Sequence, residues 1–278
     1  MNQTAAIAGQ MFRSWRMSQL DLALRAQVSQ KHVSFVESGR AAPSRDMILH
    51  LAKALDVPLR ERNALLNAAG FAPIFRDRPL DDPSLAPALE NIERLLKAHL
   101  PYPALTVDRH WNLVASNAAV APLLVGADPR LMEPPVNVMR LSLHPRGLAP
   151  LIVNLPEWRA HLLERLRRQA LLTADRAIEA LLAECEGYGV KTARRAEAGK
   201  VDEIAVPLRL RTLGGVLSFL STVIVFGTAV DLSLAELSLE AFYPADDATL
   251  RAFQDGGEFA QRRADSRSSA GVYPRTDV

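Results

Sequence analysis

Three consecutive polar side chains, Gln30, Lys31 and His32, are the residues of this chain best placed to do chemistry, and they follow directly on Ser29. A serine that caps a helix puts the next residues on its first turn. The first turn of an exposed helix is the part that reaches base edges in a DNA groove. Gln pairs bidentately with adenine, and Lys donates to guanine. Ser34 and Phe35 continue the outward face, with Phe35 apolar where a thymine methyl would be met. Gln19, at the start of the preceding helix, joins an amide to a helix N-terminus, a combination that suits phosphate. Arg40 and Arg45 flank the following loop and suit phosphate as well. The chemistry is recognition of double-stranded DNA. Covalent chemistry has no comparable support. There is no G-x-S-x-G, no glycine-rich phosphate loop before a helix and no HExxH. No catalytic residue, no metal ligand and no required cofactor is expected, so the chain reads as a non-enzyme.

Two short helices must hold these side chains. Ser18 caps the first, with Leu22 and Ala23 facing inward, and Val28 lies in the turn. Ser29 caps the second, with Val33 and Val36 on its buried side. Gly39 stops that helix, where a positive φ is expected. Pro43 and Ser44 precede a third helix over 45–55, whose apolar stripe is Ile48, Leu49, Ala52 and Leu55. A last helix, 59–69, ends at Gly70. Residues 1–70 carry nine basic and five acidic side chains, a balance of +4 against +2 for the whole chain. The positive charge therefore sits where a phosphate backbone requires it.

Residues 17–40 resemble the helix-turn-helix of the XRE (Cro/C1-type) repressor family. Ser18, Gln19, Leu22, Ala23, Val28, Ser29, Gln30, Val33, Ser34, Val36, Glu37 and Gly39 carry the resemblance, at the family's spacing. It implies an all-α, lambda-repressor-like domain that binds an operator. Gln27 departs from the family, which has glycine in the turn. A non-glycine residue there costs on the order of 1 kcal/mol. Leu20 and Leu24, four apart, stand where the family is polar. They read either as a patch for a partner subunit or the second domain, or as scattered surface leucines.

With 278 residues and 49% apolar composition, the chain has room for two domains and a genuine core. Its single cysteine, Cys185, excludes an intramolecular disulfide framework, and no Cys/His cluster has zinc-finger spacing. The N-terminus lacks the charged start and long apolar run of a signal peptide. A cytoplasmic location is expected. Residues 213–230 are uncharged, but three glycines, several Ser and Thr, and the β-branched run at 222–225 fit strands better than a membrane helix.

The proposed organisation is a DNA-binding domain over 1–72, a proline- and charge-rich linker over 73–87, a second domain over 88–254 and a disordered tail over 255–278. The second domain begins with a helix over 88–100, closed by Pro101 and Pro103. A hairpin of 104–108 and 111–116 follows, then a short helix over 117–124 and an irregular proline-rich stretch over 129–150. A long helix starts at Asn154 or Leu155, with Trp158, Leu162, Leu163 and Leu166 buried and Arg159, Arg165, Arg167 and Arg168 mostly wet. A helix over 174–186 and strands over 203–211, 216–226 and 234–243 complete it. In the last strand Leu237, Leu239, Ala241 and Tyr243 share one face, and Ser238, Glu240 and Phe242 the other. Two strands, helices and three strands is the order of a PAS-like α+β domain, a five-stranded antiparallel sheet with helices on one face.

The chain as a whole resembles the MmyB-like branch of helix-turn-helix regulators. The segments that carry this are 58–73, 78–87, 101–117, 137–170 and 241–246. The resemblance implies a transcriptional regulator with an apolar pocket in which a fatty-acid-like molecule sits. The residues themselves leave the pocket open. Trp158 and His161 share a helix face, and either line a pocket with His161 at a ligand's polar end or form a packed indole and a surface imidazole. Trp111 either covers a pocket or fills the core. Phe219 and Val223 face either a ligand or only the helices, because pocket and core have one composition. Met139 and Leu162 complete the candidate lining. The expected partners are operator DNA, a small apolar ligand and a second copy of the chain, with no membrane. The rival reading keeps the DNA-binding head and makes the second domain a dimerisation or protein-interaction module without a ligand.

Overall fold

The computed structural model describes residues 17–189, 206–226 and 231–254, which divide into two compact units. The expected tail at 255–278 lies outside the described residues.

In the first unit, α1 (Gln19–Arg25) and α2 (Gln30–Glu37) form the expected pair. The Ser18 and Ser29 hydroxyls accept from Asp21 N–H at 3.1 Å and His32 N–H at 3.2 Å, which satisfies donors the first turns leave free. Between them the chain reverses through Gln27 at φ 52°, and Val28 N–H closes on Ala23 O at 2.9 Å. Gly39 takes φ 70° after α2. Helix α3 (Arg45–Ala54) is capped by Ser44, and α4 (Leu59–Ala68) follows Pro58 and closes at Gly70, φ 82°. Leu22, Ala23, Ala26, Val33, Leu51, Ala52, Leu55 and Val57 make one buried core.

The start of the expected linker is fastened to this unit. Asn63, on α4, accepts from Ile74 N–H at 3.0 Å and Phe75 N–H at 3.1 Å, and donates to Phe75 O at 2.7 Å. Arg60 makes two bonds to Asp77. The first unit also takes in residues from far along the chain, the short helix α9 (Leu232–Ala235). Leu232 is buried, and its N–H donates to Arg76 O at 2.8 Å. Ser233 Oγ donates to Arg78 O, and Asp231 pairs with Arg78 at 3.8 Å. The strand expected over 234–243 therefore begins only at Ser238. Residues 232–235 are helical because their backbone is pinned to residues 76–78 and not to a sheet.

The second unit starts with a 3-10 turn at Pro83–Leu85, inside the expected linker, and α5 (Ala86–Ala98). Asp82 accepts from Ser84 N–H at 2.8 Å to start the turn. Its sheet comprises β1 (Ala104–Val107), β2 (Leu113–Ser116), β3 (Leu208–Thr212), β4 (Gly215–Val225) and β5 (Ser238–Pro244), all antiparallel, in the order β2-β1-β5-β4-β3. This is the expected five-stranded antiparallel sheet. Central β5 sets Glu240 opposite Val223 of β4 and Leu105 of β1. Helices were expected on one face only, but Leu239, Glu240 and Ala241 are buried in succession, so the centre of the sheet is covered on both faces. Helix α5 packs on β1 and β2. Helices α7 (Leu155–Thr173) and α8 (Arg176–Gly187) supply Trp158, Leu162, Leu163, Leu166, Ile178 and Leu181 to the main core.

Two further expectations are corrected. The stretch 129–150 holds a helix, α6 (Val138–Leu143). Asn137 caps it and Met139, Leu141 and Leu143 anchor it, so three buried side chains in six residues overcome the proline-rich flanks. The helix expected over 117–124 shrinks to one 3-10 turn at Ala121–Leu124 with Pro122 inside it. Helix α10 (Asp247–Phe253) caps the far end of β4, where Thr249 Oγ1 accepts from Ser218 N–H at 2.8 Å.

Candidate functional site

The first unit holds the candidate DNA surface on α2 and its borders. Gln30 and Lys31 are exposed on the first turn, and Ser34 is half-buried one turn later. Ser29 is exposed, but its hydroxyl is engaged as the helix cap. His32 is half-buried, and its Nε2 has no hydrogen-bond partner among the described residues. Phe35, also half-buried, lies between two cations, with Lys31 Nζ 5.5 Å and the Arg40 guanidinium 5.8 Å from its ring centre. Such contacts contribute about 0.5–1 kcal/mol at exposed sites. The ring thus steers both cations while leaving their charge available for phosphate. Arg45 is exposed at the start of α3. Gln19 Nε2 donates to Glu37 on α2, a positioning contact that helical spacing alone did not single out. It sets the orientation of the amide at the start of α1.

In the second unit, Trp111, Met139, Trp158, Leu162 and Phe219 belong to one buried core cluster. His161 is half-buried, its ring centre 5.6 Å from that of Trp158. Burial, and then the neighbouring Arg165, lower its pKa and favour the neutral imidazole. Val223, four residues beyond buried Phe219 and on the same face of β4, remains 44% exposed. The side chains predicted to line a pocket therefore form a packed set of five, with His161 and Val223 at its margin.

The same margin holds Arg165, expected on the mostly wet side of its helix, and Glu240, expected on the strand face shared with Ser238 and Phe242. Arg165, one turn beyond His161 on α7, donates through Nη2 to Glu240 Oε1 at 2.7 Å. Glu240, 75 residues away in sequence, is buried. The Arg165 guanidinium also stacks 4.6 Å from the Trp111 ring. Trp111 itself has φ 67°, a conformation that costs a bulky residue on the order of 1–3 kcal/mol. It is fixed by Nε1–H donating to Gln169 Oε1 at 2.8 Å and by N–H donating to Asp108 O at 3.0 Å. Nearby, Asp175 is partly buried, which opposes ionisation, but hydrogen bonds from His110 and from Ala177 N–H outweigh this and hold its pKa below the usual carboxylate range. No cluster of potential metal ligands and no helix long and apolar enough to cross a membrane occurs among the described residues.

Comparison with known families is consistent with both halves of this description. Residues 16–62 match the helix-turn-helix family model. Residues 89–255, more than half the chain, match the model described as the MmyB-like transcription regulator ligand binding domain. No curated protein matches the chain. With a helix-turn-helix whose α2 presents polar side chains, followed by that ligand-binding domain on a five-stranded sheet, the chain belongs to the MmyB-like transcription regulators.

Proposed function

We propose that this regulator binds a specific operator as a homodimer. In this reading the first turn of α2 enters the major groove, and the second domain takes a small apolar, fatty-acid-like molecule and contributes dimer contacts. The observation that carries the DNA half is the exposed run Gln30–Lys31 on a helix fixed by the Ser29 cap and the Gln19–Glu37 contact. Two such helices would meet half-sites about 34 Å apart. Ligand alters DNA binding only if it binds two arrangements of the protein with different affinity. Selection of binding sites from a random DNA pool by the full chain tests the proposal. A two-fold symmetric site is expected, and Gln30→Ala should lose roughly 1–3 kcal/mol and relax specificity at one position in each half-site. Uniform weakening on all sequences would refute base reading by Gln30.

A second reading has its own support. Five of the seven candidate pocket residues are packed in one core cluster, as in a domain that serves only dimerisation or protein interaction. Mass spectrometry of small molecules extracted from natively purified protein separates the two. A stoichiometric apolar compound supports the sensor, and a clean extract supports the interaction module.

A further inference from the structure

The first unit carries a groove of about 770 Å³ that DNA recognition does not use. Its whole lining belongs to that unit, and none of the candidate DNA-contacting residues takes part. The size falls within the roughly 300–1,000 Å³ of small-molecule sites. Helix α4 contributes exposed Ala64 and Asn67, and the strap at 73–78 contributes half-buried Ile74 and Phe75. Leu232 of α9 also lines it. Three arginines join these residues, and their states differ. Arg60 is held by Asp77 at 2.5 and 2.9 Å. Arg78 faces Asp231 at 3.8 Å. Arg76 is exposed, and no carboxylate pairs with it among the described residues. The Asn67 amide likewise makes no side-chain hydrogen bond among them. Apolar surface therefore lies beside one uncompensated guanidinium and one uncommitted amide.

We propose that this groove binds a small organic monocarboxylate with a compact apolar body, and that the bound molecule tightens the docking of α9 on residues 76–78. The site lies in the head and does not depend on the ligand assigned to the second domain. Its chemistry selects the class. A guanidinium fork meets a carboxylate through two parallel hydrogen bonds, and the Asn67 amide can add a third donor. One uncompensated positive charge balances one negative charge. A phosphate dianion would need a second cation, and Arg60 and Arg78 already have acidic partners. An uncharged molecule would gain burial on Ile74 and Phe75 but leave Arg76 unused. The link to docking is direct, because the Arg76 carbonyl accepts from Leu232 N–H at 2.8 Å. A ligand that touches α4, the strap and Leu232 together binds only while α9 is docked, so binding must stabilise the docked arrangement.

The test titrates the full chain with 2-naphthoate and its uncharged analogue 2-naphthamide by isothermal calorimetry. One naphthoate per chain should bind, about tenfold or more tightly than naphthamide, as expected for charge-assisted hydrogen bonds. Arg76→Gln should remove that preference. Ala64→Trp, at an exposed helix position that tolerates a large side chain, should fill the groove and weaken both probes. Amide exchange supplies a local readout: naphthoate should slow exchange of Leu232 N–H in the wild type and not in Ala64→Trp. Equal affinity for the two probes would overturn the carboxylate assignment. No heat at about 1 mM naphthoate, or binding unchanged in both variants, would overturn the site itself and leave the ligand reading of the second domain untouched.

Discussion

Replacing Asn63 by alanine should release the chain that leaves the DNA-binding unit. The side chain is 9% exposed and makes three hydrogen bonds to backbone, two accepted from Ile74 and Phe75 N–H and one donated to Phe75 O. A hydrogen bond contributes about 0.5–1.5 kcal/mol net, and a buried group left without a partner costs about 1–3 kcal/mol. Ile74 and Phe75 are half-buried, so water can replace part of what is lost. The three contacts together come to about 2–4 kcal/mol. Urea unfolding of the full chain reads the global part, as a lower midpoint at unchanged slope. Amide exchange reads the local part, because Ile74 and Phe75 N–H should lose protection before the α4 amides do. Unchanged protection at these two amides, or a stability loss below about 0.5 kcal/mol, would refute the claim that Asn63 fastens this segment.

Gln27→Gly should raise stability by about 0.5–1 kcal/mol, because glycine accepts the φ of 52° without the Cβ penalty; a lower urea midpoint would contradict this. The hydrogen bond from Arg140, opposed by burial and aided by Tyr188, holds the Glu184 carboxyl below its usual range. Its stabilising contribution is present above the ordinary value near 4.5 and is lost as pH falls through the lowered one. Glu184→Gln should therefore flatten the acid limb of stability against pH below about 4.5, and an unchanged limb would count against it. Arg45→Ala should weaken DNA binding equally on all sequences and reduce the salt slope by about 1, whereas loss on one base sequence alone would remove Arg45 from the phosphate contacts.

The helix-turn-helix was legible because its determinants are local. Capping serines, a turn and apolar side chains at helical spacing all fall within residues 18–39. The succession of two strands, helices and three strands along the second domain was legible, and alternation gave the residues that share a face of β5 with Glu240. Its environment was not. Alternation places Glu240 with Ser238 and Phe242 but says nothing of what that face meets, and only the fold brings Arg165 to it from 75 residues away. Asn63 sat on the apolar side of α4, between Leu59 and Leu66, which was a readable hint of a buried polar contact. Helix α6 was hidden by flanking prolines, since a six-residue helix held by tertiary burial has little periodicity of its own. The docking of residues 231–235 on 76–78 left no local signal.

That docking also sets a timetable for synthesis. The DNA-binding unit is not continuous in sequence, because Leu232 and its neighbours complete it. On a ribosome, the head emerges long before the segment that finishes it. At about 5–20 residues per second, the interval between Leu80 and Ala235 is roughly 8–30 s. During that time the groups at Arg76 and Arg78 that later receive Leu232 and Ser233 await their partners, and the head gains its last contacts only once most of the ligand-binding domain has been made.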